Sequence, residues 1–257
     1  MIELSAYYDV SGHSSDQPFV VVAGFVASKK KWLRFEDGWQ RALRDFGLGK
    51  AFHATEIDHS GSLSRAQKDK IFQTFAKIAK RETTAAFCIG IEMQVYAEIN
   101  EDYPFEEFVG TPHALAARTF VKEIRSWRAT LRGKYELSIF YEEGGEHIGD
   151  MKEAFARDGL PEPTPVEKKH PSAQAADLLG WLVSFYLRNR GKIESLDVIK
   201  NRPVVFGGLY QKKDLVGMVR ALKMPRREKM GLNPYVAYHT SPKRPRKRSV
   251  NRAASRS

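Results

Sequence analysis

The chain has 257 residues, 42% of them hydrophobic, which is enough to bury a substantial core in one elaborated domain. Its apolar runs stop far short of the roughly 18 residues of a membrane span, and no basic and apolar leader precedes the first predicted strand, so we expect a cytoplasmic protein without a membrane partner. The single cysteine, Cys88, excludes an internal disulfide and any zinc site built from several cysteines.

Positive charge is concentrated at the C-terminal end. The net charge is +11, and the chain from residue 243 onward contributes seven positive charges and no negative one, which leaves +4 for the rest. The densest part of this segment comprises Lys243, Arg244, Arg246, Lys247 and Arg248. Its composition predicts a disordered arm over residues 241–257, after a single domain over residues 1–240. Such an arm either contacts nucleic acid through the phosphates or only keeps the protein soluble, and the sequence leaves both open.

The first part of the chain predicts three strands and an inserted helical pair. Residues 2–9 alternate apolar and polar side chains and end in an acid before a turn rich in serine and glycine. Residues 19–27 are almost continuously apolar, so we expect a strand that is buried on both faces and pairs antiparallel with the first. Apolar side chains at helical spacing predict two helices near residues 29–81, and residues 83–93 return to strand composition.

The second part alternates helices and strands, after a stretch rich in acids and proline that we expect to be a loop. Helices are predicted over residues 113–131, 148–157, 173–190 and 215–222, and strands over residues 137–142, 164–166 and 204–209. The helix over 173–190 is apolar almost all round, so it should be buried on more than one side, with Ser172 as its N-cap. This order predicts an α/β fold in which helices cover both faces of one mixed sheet whose first three strands are antiparallel.

Three acids lie where ordinary packing would not place them. Asp9 and Glu142 end predicted strands, and Asp177 lies inside the apolar helix, where a carboxylate is costly to bury unless a cation or hydrogen-bond donors meet it. If the first and fourth strands are neighbours, their carboxyl ends bring two of the acids together and the helix lays the third over both. Clustered carboxylates bind Mg²⁺ or Mn²⁺. Two such ions about 4 Å apart would activate water and stabilise the leaving oxygen of a phosphodiester.

Each of these acids also has an ordinary structural interpretation. Asp9 precedes Ser and Gly and is a common turn starter, Glu142 suits a solvated strand end, and Asp177 suits a cap or an arginine partner. Spacing alone does not decide between these roles and a metal site.

Four short motifs in a fixed order resemble a known family. They are YDVSG at residues 8–12, FHATE at 52–56, YEEG at 141–144 and QAADLL at 174–179. In these motifs the chain resembles the family catalogued as domain of unknown function 3800, over about residues 1–187. That resemblance implies an RNase H-like fold and, from the fold, a nuclease activity.

The resemblance implies acids at Asp9, Glu142 and Asp177, the same residues that the burial argument selects. The sequence departs from the pattern at Val10, where the family usually has a second acid. This departure leaves three possibilities: a site for one metal, a site in which Glu143 or Glu56 supplies the missing oxygen, or a site without activity.

Two further polar residues accompany these acids. His53 lies three residues before Glu56, so the two share a face if the segment is helical, and with the resemblance we interpret His53 as a proton shuttle or a group that orients the scissile phosphate. Gln174 precedes Asp177 by one helical turn, and we expect it to hold that carboxylate or to contact substrate. Trp181, like the other tryptophans, falls on an apolar helical stripe and is predicted to be a core residue.

Together these features predict a Mg²⁺- or Mn²⁺-dependent nuclease with a basic tail that gathers RNA or DNA. The catalytic set would be Asp9, His53, Glu56, Glu142 and Asp177. An alternative is a module that binds nucleic acid or protein and whose acidic site is inactive, and a third is a metal-dependent hydrolase of small phosphorylated molecules, in which the tail has no role.

Overall fold

The computed structural model describes residues 2–12, 17–49, 51–144, 148–189 and 204–227. Its centre is a six-stranded sheet with the order β5-β4-β1-β2-β3-β6. The strands are β1 (Ile2–Ser11), β2 (Phe19–Ser28), β3 (Ala85–Glu92), β4 (Tyr135–Glu142), β5 (Thr164–Val166) and β6 (Val204–Tyr210). The first three pair antiparallel, whereas β4 runs parallel to β1, β5 to β4 and β6 to β3. This mixed sheet confirms the predicted RNase H-like α/β fold.

Helices cover both faces of the sheet, as predicted. They are α1 (Lys29–Asp45), α2 (Ala54–His59), α3 (Arg65–Glu82), α4 (Met93–Asp102), α5 (Phe105–Val109), α6 (Pro112–Thr130), α7 (Ile148–Arg157), α8 (Pro171–Asn189) and α9 (Lys212–Ala221). Because side chains alternate along a strand, β2 contributes Val21, Ala23 and Phe25 to the core beneath α1, α2, α3 and α8. The alternate residues Val20 and Val22 point to the opposite face and pack into the second core, beneath α4, α5, α6, α7 and α9. Among the described residues, no helix is both long and apolar enough to cross a bilayer.

Two local predictions were wrong. The stretch expected to be a loop before α6 contains α4 and α5, because short apolar pairs such as Tyr96 and Ile99 are buried against the sheet and fix the helices despite the surrounding acids. Helix α8 begins at Pro171 rather than after Ser172, so Ser172 lies in the first turn. A proline suits that first position, and the ring of His170 accepts a hydrogen bond from the Ser172 N–H in place of a serine cap.

Candidate active site

One cavity of about 580 Å³ lies beside β1, β4, α2 and α8. The three acids selected from the sequence all line it: Asp9, Glu142 and Asp177. The parallel pairing of β1 with β4 runs as far as Tyr8 and Tyr141, so two of these acids follow at the next position of two neighbouring strands. The predicted meeting of β1 and β4 is therefore confirmed, and it is this adjacency that assembles the site.

Asp9 lies within β1 rather than at its end. Pairing with β2 continues as far as Ser11, because Val21 provides it with a partner strand. Burial raises the pKa of the Asp9 carboxyl above its ordinary value, while the Val10 N–H and the positive charge of Lys168 act in the opposite direction. The carboxylate thus faces the cavity at a cost that a cation would relieve.

Glu142 is the last residue of β4, and its two oxygens have different surroundings. Oε1 lies 3.3 Å from the ammonium nitrogen of Lys168, whereas Oε2 is buried without a hydrogen-bond partner. Burial, then the charges of Asp9 and Asp177, raise the pKa of Glu142 to about 7, and Lys168 limits the rise. An orphaned buried oxygen of this kind is uncommon in folded proteins, and a carboxylate oxygen is a ligand that hard cations prefer.

Asp177 lies on α8, opposite the two strand acids. Its Oδ2 accepts a hydrogen bond of 3.1 Å from the N–H of Ala54, the first residue of α2. Burial and the charge of Asp9 raise the pKa of Asp177 to about 6, against the effects of the Ala54 N–H, Lys168 and His53. The acid inside the apolar helix is therefore turned toward the other two acids and away from the core.

Lys168 is a site residue that sequence reasoning missed. It lies between β5 and α8 and lines the cavity with the acids. Burial alone would lower its pKa, but its ion pair with Glu142 and the charges of Asp177 and Asp9 raise it. The sequence alone offered no signal for it: only the pairing of Val166 with Glu142 shows that a residue just beyond β5 lies next to the end of β4.

His53 and Glu56 do not share a helical face, contrary to what was expected if their segment were helical. Helix α2 begins at Ala54, so His53 precedes it with an extended backbone, while the side chain of Glu56 is exposed. His53 is nevertheless close enough to lower the pKa of Asp177. The residues of α2 that line the cavity are Thr55, Asp58 and His59.

Gln174 does not bond the carboxylate of Asp177; it forms hydrogen bonds with the segments on either side of it. It is buried, and its Oε1 accepts hydrogen bonds of 2.8 Å from the Trp39 indole N–H and from the Phe52 backbone N–H. Its Nε2 donates a hydrogen bond of 2.8 Å to the carbonyl of Lys169. One amide thus fixes both the segment that leads to Ala54 and the segment that carries Lys168.

The remaining predicted residues lie apart from this cluster. The side chain of Glu143 is exposed, while its backbone N–H donates to the carbonyl of Val166 and continues the β4–β5 pairing. The basic tail residues lie outside the described residues: Lys243, Arg244, Arg246, Lys247 and Arg248.

The oxygen donors of this cavity suit a hard divalent cation, although they do not form a complete metal-binding group in this structure. Among the described residues, no three His, Cys, Asp or Glu side chains form a metal-binding group as they stand. The three carboxylates nevertheless share one cavity, the charge of Asp9 disfavours the ionisation of the other two, and Glu142 contributes the orphaned Oε2. Oxygen donors of this kind fit Mg²⁺ or Mn²⁺.

Comparison with known proteins adds little to this picture. No family model and no curated protein matches the chain. A solved chain of the PCNA:RNase HII complex from Archaeoglobus fulgidus is 16% identical, with 86% of this chain and 90% of that chain covered and a TM-score of 0.36. The ribonuclease H2 of Pyrococcus horikoshii OT3 is 18% identical, with 90% of each chain covered and a TM-score of 0.38. At such TM-scores, the fold assignment depends on the strand order and directions described above.

Proposed function

We propose that the protein is a Mg²⁺- or Mn²⁺-dependent phosphodiesterase that cleaves nucleic acid, with Asp9, Glu142 and Asp177 as metal ligands. The observation that carries this proposal is the convergence of the three carboxylates, from β1, β4 and α8, on one cavity, where burial raises all three pKa values and the charge of Asp9 further raises those of Glu142 and Asp177. A protein maintains such a cluster at a cost in stability, and a bound cation would recover that cost.

Each residue has a definite part in this proposal. Glu142 Oε2, which lacks a hydrogen-bond partner, and the carboxylates of Asp9 and Asp177 would hold the ion. When bound, Mg²⁺ or Mn²⁺ would activate water and stabilise the leaving oxygen of the phosphodiester. The Ala54 N–H orients Asp177, and Lys168 places a positive charge beside these acids, where it would attract the substrate phosphate.

Val10 points away from the three acids of the proposed site. Its side chain packs into the core on the α6 side of the sheet, whereas Asp9 lies on the α8 side, because successive side chains point to opposite faces of a strand. The three acids therefore lie on the other face of the sheet from the valine side chain, although Val10 also borders the cavity.

Cleavage of labelled oligonucleotides tests the proposal. Single-stranded RNA, single-stranded DNA, their duplexes and an RNA–DNA hybrid would be incubated with Mn²⁺, with Mg²⁺ or with EDTA. We expect metal-dependent cleavage that falls by roughly 100-fold or more in Asp9→Asn, Glu142→Gln and Asp177→Asn. Glu136→Gln, an exposed position of the same strand β4, is the matched control and should retain activity. A folded wild-type protein that binds neither Mn²⁺ nor nucleic acid would refute the proposal.

One observation favours a second candidate, a binding module without catalysis. Lys168 already provides a positive charge at Glu142, so the cluster is partly neutralised without a metal. In that case nucleic acid would bind in a salt-sensitive way with or without Mn²⁺, and no cleavage product would form.

A further inference from the structure

The cavity continues beyond the acid cluster along one face of α8. The residues on that face are Asp177, Trp181, Ser184, Phe185 and Arg188, and all of them line the cavity. Successive members are three or four residues apart, except for the adjacent Ser184 and Phe185, which places them along one side of the helix. With a rise of 1.5 Å per residue, this row extends about 16 Å from the acid to the arginine. We call it the α8 row.

The middle of the α8 row is aromatic. Trp181 stacks on Phe72, with ring centroids 4.4 Å apart and planes within 8°, and its ring lies 5.0 Å from that of Phe185. Both α8 side chains keep part of their surface exposed. The prediction that Trp181 is a core residue therefore holds for its contact with Phe72, but another part of the ring borders the cavity.

The rest of the α8 row is polar. Ser184 is buried, and its hydroxyl oxygen has no hydrogen-bond partner, although the residue lines the cavity. Arg188 is exposed at the end of the helix, where its Nε donates to the carbonyl of Ser184 at 3.3 Å. The accessible polar group at this end of the row is therefore the Arg188 guanidinium, which can bind an anion.

We propose that the α8 row binds single-stranded nucleic acid. Unpaired bases stack against Trp181 and Phe185, and Arg188 binds a phosphate of the same strand. This inference takes from the proposed function only that the scissile phosphate lies at Asp177.

The size and the charges of the cavity support a single strand over a duplex. A volume of about 580 Å³ suits nucleotide-sized groups, and only unpaired bases can present their faces to a side-chain aromatic ring. Asp58 and His59 of α2 also line the cavity, so an acid stands on the α2 wall, whereas the basic lining residues are Lys168, beside the acid cluster, and Arg188, at the end of α8. The phosphates should therefore follow the α8 wall.

Fluorescence anisotropy with the full-length protein tests this inference. The probes are a labelled single-stranded DNA, the same sequence as RNA, and the corresponding duplexes, each in Mg²⁺ with phosphorothioate linkages that resist cleavage. We expect Phe185→Leu and Arg188→Gln to weaken single-strand binding by roughly 10-fold each, since stacking and phosphate contacts are removed. Trp181→Leu should have a similar effect, and circular dichroism would verify that each variant is folded.

Two matched controls make the test specific. Tyr186→Leu removes an aromatic ring from α8 that does not line the cavity, and Arg125→Gln removes an exposed arginine from α6, on the other face of the sheet. Both should bind single strands as the wild type does. Equal binding by Phe185→Leu, Arg188→Gln and the wild type, or duplex binding as tight as single-strand binding, would overturn the inference.

The outcome is separable from that of the proposed function. Metal-dependent cleavage with unchanged binding in the variants of the α8 row would refute this inference alone. Weaker single-strand binding in those variants, without any cleavage by the wild type, would support the inference and refute the nuclease.

Discussion

The ammonium nitrogen of Lys168 lies 3.3 Å from Oε1 of Glu142, so a lysine pairs with the acid cluster at the end of β4. The sheet fixes this contact, because Val166 of β5 pairs with Glu142 and the chain then continues directly to Lys168. A lysine in this position compensates part of the negative charge of Glu142, Asp9 and Asp177. A divalent ion at the same acids would then compete with it.

Replacing Lys168 by methionine tests this competition. Because the variant removes a positive charge next to Glu142, we expect Mn²⁺ to bind several-fold more tightly at low salt, as measured by isothermal titration calorimetry. Lys169→Met is the matched control: this neighbouring side chain is exposed and pairs with Glu167, so its loss should leave Mn²⁺ affinity unchanged. Weaker Mn²⁺ binding by Lys168→Met would show that the lysine supports the metal site and does not compete with it.

The raised pKa values predict that the metal-free protein loses stability as the pH rises. Glu142 has a pKa of about 7 in the fold, against an ordinary value of 4.5. Between these two pH values the folded protein holds a proton that the unfolded chain has released. The stabilisation that this proton gives the folded protein is fully present below the ordinary pKa of the carboxyl. It is lost as the pH rises through the pKa that the carboxyl has in the fold. Asp177, with a pKa of about 6 against 3.8, acts in the same direction.

Thermal unfolding in EDTA measures this effect. We expect a melting temperature that falls by about 5 °C from about pH 5 to about pH 8, and a recovery on addition of Mn²⁺ at the higher pH. Glu142→Gln should show a smaller fall and little response to Mn²⁺, whereas Glu136→Gln on the same strand should behave as the wild type. A melting temperature that rises over this pH range in EDTA would contradict the assigned pKa directions.

The positions of the three acids follow from local sequence, whereas the groups around them depend on tertiary pairing. Asp9 and Glu142 could be placed because their strands were recognisable and neighbouring parallel strands align their carboxyl ends, and Asp177 because an acid among apolar side chains needs a partner. Lys168 is visible only once the β4–β5 register is known. Helical spacing places Gln174 near Asp177. It could not show that the Gln174 amide turns instead to the buried N–H groups of Trp39 and Phe52, which are distant in sequence.

Gln174 should be essential for the stability of this region. Gln174→Leu would leave the Trp39 and Phe52 N–H groups and the Lys169 carbonyl unpaired in a buried setting, at a cost of about 3 kcal/mol in the free energy of unfolding. Urea unfolding monitored by tryptophan fluorescence would measure the change. Gln94→Leu, at an exposed position of α4, is the control and should cost less than about 0.5 kcal/mol. A similarly small change in Gln174→Leu would mean that water replaces the lost hydrogen bonds.

Gly24 allows β2 to approach β1 next to the site. It pairs with Tyr8, and a β-carbon added there would lie 2.0 Å from the carbonyl oxygen of Tyr7 and 2.8 Å from Cα of Tyr8. Both atoms belong to the backbone and cannot rotate away, so Gly24→Ala must separate the two strands. We expect a loss of about 3 kcal/mol in the free energy of unfolding, measured by urea denaturation. Since Asp9 follows Tyr8 directly, Mn²⁺ binding should weaken in the same variant.

The matched control for Gly24 is a glycine with free space around it. A β-carbon at Gly217 in α9 would meet no atom within 4 Å, and alanine favours a helix, so Gly217→Ala should raise the free energy of unfolding by up to about 1 kcal/mol. The two glycine-to-alanine changes should therefore have opposite signs. If Gly24→Ala is as stable as the wild type and still binds Mn²⁺ normally, the close approach of β2 does not determine where β1 places Asp9.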